Sequence, residues 1–498
     1  MIKTILKKHW LLISILILAS FLRLYQISDY MEFLGDQGRD VVIIKDFLQH
    51  GNLFFIGPQT SIGNMYLGPY FYYLIAPSLF LSNYNPVGPA IFIALLNIAT
   101  VFLIYFVGKR WFSRSVGLIS AFLFAISPVV IKYSNFIWNP NIMPFFSLLF
   151  VYFFFESFRS KKYHYFLYAS LAFIMVINSH YLGLALLPFI GLFWLYNLIK
   201  FIQKKSKQLK PACRQAGPFL KYTFLAIFIF ILSLTPQILF DIKHDGQNSK
   251  ALLSFFTYRE TTVNIKAYKA LPELPAMFNQ VNTRLLAGKN GTVGLIVSIV
   301  FFISLFPLIL KFKKQKTTFW IVFFWYLSGL TALALYKQHI YDHYFAFLFP
   351  VVFILAGFLI NKFKFIGIPF LILITIFSFL ENPFRYQPNS QLKTVNQIAD
   401  LIIANSNNKD FNFALLAKQN YDPPYRYVLG NKEAKIVNLP DKLAEQLFVV
   451  CEPFQIECNP INNPEWSVAA FGWAKIDNQW EVNGIKLFKL VHNSDGKK

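Results

Sequence analysis

Charge is scarce in this chain, and acidic charge is scarcest. Asp, Glu, Lys and Arg make up 14% of the 498 residues, against 56% hydrophobic and 19% aromatic. No soluble globular class has that balance. Apolar runs long enough to cross a bilayer recur along the chain, so it reads as a polytopic α-helical membrane protein. Acidic residues number 24 against 47 basic ones, a formal net charge of +23. Such an excess can mark a nucleic-acid-binding protein, but that requires a basic soluble face. Here Lys and Arg fall in short loops between apolar runs, as the positive-inside bias predicts, which leaves nucleic acid no place as a partner. An internal repeat is missing, which counts against transporters built from repeated halves. Low-complexity tracts are missing as well. No small-residue cleavage site follows the basic flank and apolar core of residues 1–20, so this segment reads as a retained signal-anchor. Cysteine occurs three times, at Cys213, Cys451 and Cys458.

The apolar runs place about eleven spans, at residues 11–27, 87–107, 116–131, 142–155, 165–177, 181–198, 219–240, 293–310, 319–335, 345–360 and 365–379. Residues 70–81 are apolar and aromatic but short, and are broken by Pro69 and Pro77. If they lie at the outer surface without crossing, every basic loop falls on one side, from Lys3, Lys7 and Lys8 through Lys109 and Arg110 to Lys362 and Lys364. Asp29, Glu32, Asp36, Asp40 and Asp46 then fall on the other. If they cross, that bias fails, so 70–81 is expected to be an outer juxtamembrane helix. The long outer loops are 28–86 and 241–292, and short hairpins add 132–141 and 336–344. Beyond residue 380 the composition turns polar. Val395, Ile398 and Ile402 repeat at helical spacing. Residues 411–417, 434–439, 447–451, 466–471 and 485–491 read as short strands. The expected architecture is thus a transmembrane domain over 1–380 and a small soluble α/β domain over 381–498 on the outer, extracytoplasmic face of a cytoplasmic membrane. In an oxidising compartment Cys451 and Cys458 can form a disulfide; two free thiols are the alternative.

What the chain does have is an acidic run, Gly35-Asp36-Gln37-Gly38-Arg39-Asp40, just past the first span. Carboxylates at a membrane surface need either solvent or a task. One reading makes Asp36 or Asp40 a cap or first-turn charge of a surface helix, since Val41, Ile44, Phe47 and Leu48 follow at helical spacing. The other makes Asp36 a general base for an attacking hydroxyl. Asp36 and Asp40, four apart, share a helical face, so one could orient Arg39 or a metal. The tyrosine-rich shelf with Tyr72 and Tyr73 would then contact sugar or acceptor.

The order of elements carries a resemblance. A signal-anchor span is followed by the acidic motif, a Pro-x-x-Tyr-Tyr helix, a span ending in Gly108-Lys109-Arg110-Trp111-Phe112, Ser127-Pro128 near the outer end of the next, and His343-Tyr344-Phe345 with Pro350 opening a late span. This resembles the superfamily C glycosyltransferases that use polyprenyl-phosphate sugars, in particular bacterial relatives of protein O-mannosyltransferases and of the lipid A aminoarabinose transferase, over about residues 11–357. The resemblance implies a membrane glycosyltransferase with Asp36 as catalytic base, a polyprenyl-phosphate sugar as donor, and a lipid, glycan or protein hydroxyl as acceptor. Gln37 stands where the family often has Glu, with Asp40 available instead. Trp138-Asn139-Pro140-Asn141 replaces a second acidic motif; Asn139 can hydrogen-bond sugar or phosphate, or simply open a helix.

A phosphate leaving group needs fixed cations. Candidates are Arg39, Arg259, Lys266, Lys269, Arg284, Lys289 and Lys337, each of which alone can equally be a solvated loop charge. His343 and Tyr344 are assigned to the donor phosphate and His180 to sugar. His339, His343, Asp342 and His180 could instead hold a divalent metal. No cofactor is assigned. The competing class is a transporter or flippase of lipid-linked sugars, which tends to place its polar groups at mid-membrane rather than in outer loops.

Overall fold

The computed structural model describes residues 2–61, 63–207, 211–258, 262–264, 266–311, 316–452 and 458–493. The chain folds as a helical membrane bundle with a small C-terminal sheet unit. Among the described residues seven helical stretches are long and apolar enough to cross a bilayer, from Val87–Trp111 to Asp342–Lys362. Shorter apolar helices are Tyr70–Leu81, Arg114–Ile126, Tyr165–Ser179 and Lys364–Leu380. The chain opens with the Ile2–Leu24 helix. Several bundle helices begin with a 3-10 turn at one end, as in Asn139–Ile142, Tyr181–Leu186 and Asp342–Leu348. At the other end basic side chains gather. Buried Glu156 binds Arg110 at 2.8 Å and Arg159 at 2.9 Å, so the buried acid there is paired.

The first loop supplies the two longer helices Gly35–His50 and Tyr70–Leu81, after the short Ile27–Tyr30. The C-terminal unit has four strands: β1 (Asn412–Leu416), β2 (Gln446–Cys451), β3 (Ala474–Val482) and β4 (Ile485–His492). They are ordered β1-β2-β4-β3, with β1 and β2 parallel and the other pairs antiparallel. The helix expected near Val395 runs Gln391–Asn405, and Cys451 and Cys458 are joined in a disulfide. Two expectations are corrected, and one strand is added. Trp466–Phe471 is a short helix, capped by Glu465 at the N–H groups of Ser467 and Val468. Residues 434–439 make only one bridge, Phe411 to Ile436, and no strand. β3 is a polar edge strand that apolar alternation does not mark.

One apolar core joins the two parts. Phe33, Val41 and Ile44 of the first loop, and Phe71, Tyr72 and Ile75 of the Tyr70–Leu81 helix, pack in the same cluster as Ile398, Tyr425, Phe448 and Leu487 of the C-terminal unit. The sheet unit is therefore seated on the acidic loop rather than tethered beside it.

Candidate active site

The Gly35–His50 helix starts where the chain leaves an extended Leu34, and its first turn carries the acidic run. Gln37, where the resembled family often has Glu, turns back and accepts the Leu34 N–H at 3.0 Å. The cap is thus made by Gln37, and Asp36 is free of that task. Its Oδ1 instead takes Arg39 Nη1 at 2.9 Å. Arg39 reaches Asp40 Oδ1 through Nη2 at 2.8 Å and Nε at 3.0 Å. Tyr72 donates its hydroxyl to the same oxygen at 2.9 Å. The guanidinium has five N–H donors, and three go to these carboxylates.

The two carboxylates differ in environment. The Asp36 side chain is 41% exposed and that of Asp40 is 0% exposed. Burial pushes the Asp40 carboxyl up to about 6, against the opposing pull of Arg39. Those two acids hold the Arg39 guanidinium charged despite its burial. Burial together with the Asp40 charge drives the Tyr72 phenol well above its ordinary value, so it stays a donor.

Asp36 and Arg39 form one wall of a cavity of about 890 Å³. Trp138, Asn139, His180, His343 and Tyr344 line it too, as do Ser61, Tyr336 and Tyr421. The His343 ring lies 4.3 Å from that of Trp138, and His180 lies 5.0 Å from Tyr344, centroid to centroid. Asn139 donates its amide to the Ser179 carbonyl at 2.6 Å, which fixes the turn carrying Trp138. Burial lowers the His180 imidazole to about 4, so it is neutral at physiological pH. This is a mostly apolar pocket with several aromatic rings and one charged wall, suited to a ligand with sugar faces and an anionic group.

The structure thus brings together Asp36, Arg39, Asn139, His180, His343 and Tyr344. It places Asp40 and Tyr72 immediately behind that wall, in the second layer. Tyr73 lies outside the cavity, corrected by its bonds to both the N–H and the carbonyl of Phe54 at 2.9 and 3.2 Å. Tyr72 likewise does not line the cavity; its hydroxyl is spent on Asp40. Arg284 and Lys289 sit on Asp342 at 3.5 and 2.8 Å, not on the cavity. Lys266 and Lys269 are exposed, and Lys337 is exposed with its backbone N–H on the Thr262 carbonyl at 2.9 Å. Arg259 lies outside the described residues. Among the described lining residues Arg39 is the one cation. For a divalent metal the arrangement does not fit: among the described residues no three His, Cys, Asp or Glu groups converge. Asp342 is committed to its two cations, and His339 packs on Tyr341 at 4.6 Å. Sequence reasoning missed Ser61, Tyr336 and Tyr421. Tyr421 comes from the far C-terminal unit, and no local pattern marks it.

Residues 67–233 match the family described as dolichyl-phosphate-mannose-protein mannosyltransferase. Comparison with the curated proteins finds no match. Among solved structures, the fold is similar to apo ArnT from Cupriavidus metallidurans, with TM-score 0.59 and 10% identity over 98% of this chain and 99% of that one. The same protein bound to undecaprenyl phosphate gives TM-score 0.57, again at 10% identity and with the same coverage. The Archaeoglobus fulgidus oligosaccharyltransferase, solved with Zn and sulfate, gives TM-score 0.51 at 13% identity over 84% of this chain. The chain spans only 61% of that protein's length. Over its matched segment this chain resembles the dolichyl-phosphate-mannose-protein mannosyltransferases, and its fold is similar to that of ArnT.

Proposed function

We propose that the protein moves one sugar from a polyprenyl-phosphate donor to an acceptor hydroxyl on a lipid, glycan or protein, at the outer face of the cytoplasmic membrane. The observation that carries this reading is the large cavity with a solvent-reachable carboxylate and an arginine on one wall and aromatic rings on the other. Asp36 takes the proton of the acceptor hydroxyl as its oxygen bonds to the anomeric carbon. The bond from that carbon to the phosphate oxygen breaks, and polyprenyl phosphate leaves. Arg39 meets the negative charge that grows on the leaving phosphate, through the N–H groups its carboxylates leave unused. Asp40 and Tyr72 hold Arg39 in place. Trp138 and His180 offer faces and a neutral donor to the sugar, and His343 and Tyr344 serve the donor phosphate. The solved ArnT structure holding undecaprenyl phosphate supports a lipid-phosphate donor. In this reading the polar unit beyond residue 380 is extracytoplasmic and the basic loops are cytoplasmic.

The test is the purified protein in sealed proteoliposomes with a panel of radiolabelled undecaprenyl-phosphate sugars and a membrane extract as acceptor. Label moved to an acceptor supports the reading. Label that only crosses the bilayer, without transfer, supports the flippase instead.

A further inference from the structure

The C-terminal unit reaches the turn that bears Asp36. Asn420, in the loop after β1, accepts the Gly35 N–H through Oδ1 at 2.8 Å. Its amide nitrogen donates to Glu452 Oε1 at 2.7 Å, and Tyr425 donates its hydroxyl to the same oxygen at 3.0 Å. Glu452 directly follows β2, so this chain of bonds runs from the sheet to the first turn of the Gly35–His50 helix. A second tie flanks it, from the Phe33 N–H to Gln391 Oε1 at 2.7 Å. Leu34, between the two ties, is where the helix begins.

The packing is as close as the bonding. Gly35 and Gly38, three apart, lie on one face of the helix. A Cβ on Gly35 would fall 2.3 Å from the Tyr421 ring, and one on Gly38 would fall 2.3 Å from the Pro424 backbone nitrogen. Glycine inside a helix is unfavourable against alanine. Here its lack of a side chain is what lets the loop after β1 close on the helix. Tyr421 and Pro423 of that loop also line the cavity beside Asp36.

We infer that the C-terminal unit is part of the active site, and that Asn420, held by Glu452, is a positioning residue that sets the turn from which Asp36 faces the cavity. This deepens the proposed transfer reaction and rests on it. An unheld first turn frays, because the first helical N–H groups have no partner within the helix. The Gly35 amide is one of those groups, and Asn420 supplies its partner from a part of the chain 385 residues away. Small displacements of a catalytic group cost rate more than binding.

The test uses the full chain in nanodiscs and two independent readouts. One is amide hydrogen exchange over residues 34–40; the other is transfer from whichever donor of the panel the wild type uses, with undecaprenyl phosphate binding measured alongside. Asn420→Ala is expected to speed exchange over 34–40 at least tenfold and lower kcat about tenfold or more. Binding of undecaprenyl phosphate should stay within twofold. N420D alone sets two carboxylates together and should behave like N420A. The paired N420D/E452Q restores an amide-to-carboxylate bond with the Gly35 acceptor kept, and should recover most of the exchange protection and kcat. Exchange within the four strands checks that the sheet unit stays folded. Wild-type kcat with unchanged exchange in N420A overturns the inference, and so does failure of the paired variant to recover either readout while the sheet stays protected. Exchange does not depend on transfer. A wild type that transfers nothing would therefore remove the functional reading while still reporting on this contact.

Discussion

Arg39 and Asp40 are neighbours in sequence and form a buried ion pair, Nη2 to Oδ1 at 2.8 Å, in which the acid is fully enclosed. The carboxylate that reaches the cavity is the other one, Asp36. The acidic run therefore splits into a carboxylate that faces the cavity and one buried behind it. Burial sets the difference: Asp40 is shut off from the cavity, but it holds the arginine that lines it.

This split makes stability and pH separable from catalysis. The Asp40 carboxyl is raised to about 6 in the fold, from an ordinary value of 3.8. Between those values the folded chain holds a proton that the unfolded chain releases. Stability from this group is therefore fully present below 3.8 and is lost as pH rises through about 6. D40N should abolish that dependence. The check is thermal unfolding of wild type and D40N from pH 4 to pH 8: the difference between them should change most between pH 4 and about 6 and level off above that. Parallel curves would remove Asp40 as the titrating group.

Removing the cation should hurt in two ways. R39A leaves Asp40 buried without a countercharge, at a cost of ~3–5 kcal/mol if it stays ionised. It also removes the one described cation lining the cavity. We expect R39A to unfold at lower temperature and to lose undecaprenyl phosphate binding about tenfold or more. R39A/D40N should regain most of the stability and none of the binding. Recovery of both together would mean that Arg39 serves the fold alone.

Orientation is testable without substrate. If the basic loops are cytoplasmic, a cysteine at exposed Asn478 on β3 should react with a membrane-impermeant maleimide in intact cells. One at exposed Lys161 should react only after permeabilisation. Both are placed in a C213S background, since Cys451 and Cys458 are paired. The reverse pattern would invert the membrane arrangement.

How much of this was legible depended on the range over which the signal acts. Apolar length marks a span by itself, so most of the bundle could be read from residues alone. The acidic helix could be read because its glycines, charges and apolar spacing lie within one run. Trp466–Phe471 could not, because a short apolar run suits strand and helix equally; the deciding signal was Glu465, a capping side chain rather than a periodicity. β3 was hidden because an exposed edge strand need not alternate apolar and polar residues. Arg284 and Lys289 looked like phosphate ligands because their partner, Asp342, comes from a distant turn. Asn420 was out of reach for the same reason: its bond to Gly35 spans 385 residues.

The central claim rests on Asp36→Asn. The substitution keeps size and one oxygen that Arg39 can still meet, but it removes the ability to take a proton. If Asp36 were only a helix cap, asparagine would serve as well. The structure already gives that cap to Gln37, on the Leu34 N–H. If Asp36 is the base, kcat should fall by roughly a hundredfold or more. Folding should be unaffected, because the Asp36 side chain is partly exposed while the buried pair of Arg39 and Asp40 is left intact. Binding of undecaprenyl phosphate should also persist, since Arg39 stays in place. D40N is the companion measurement: it disturbs Arg39 without touching the cavity, so it should weaken donor binding more than D36N and slow the chemical step less. Transfer assays and lipid binding on the two variants give opposite rankings if the carboxylates have the roles assigned here. Full transfer by D36N would remove Asp36 from the chemistry.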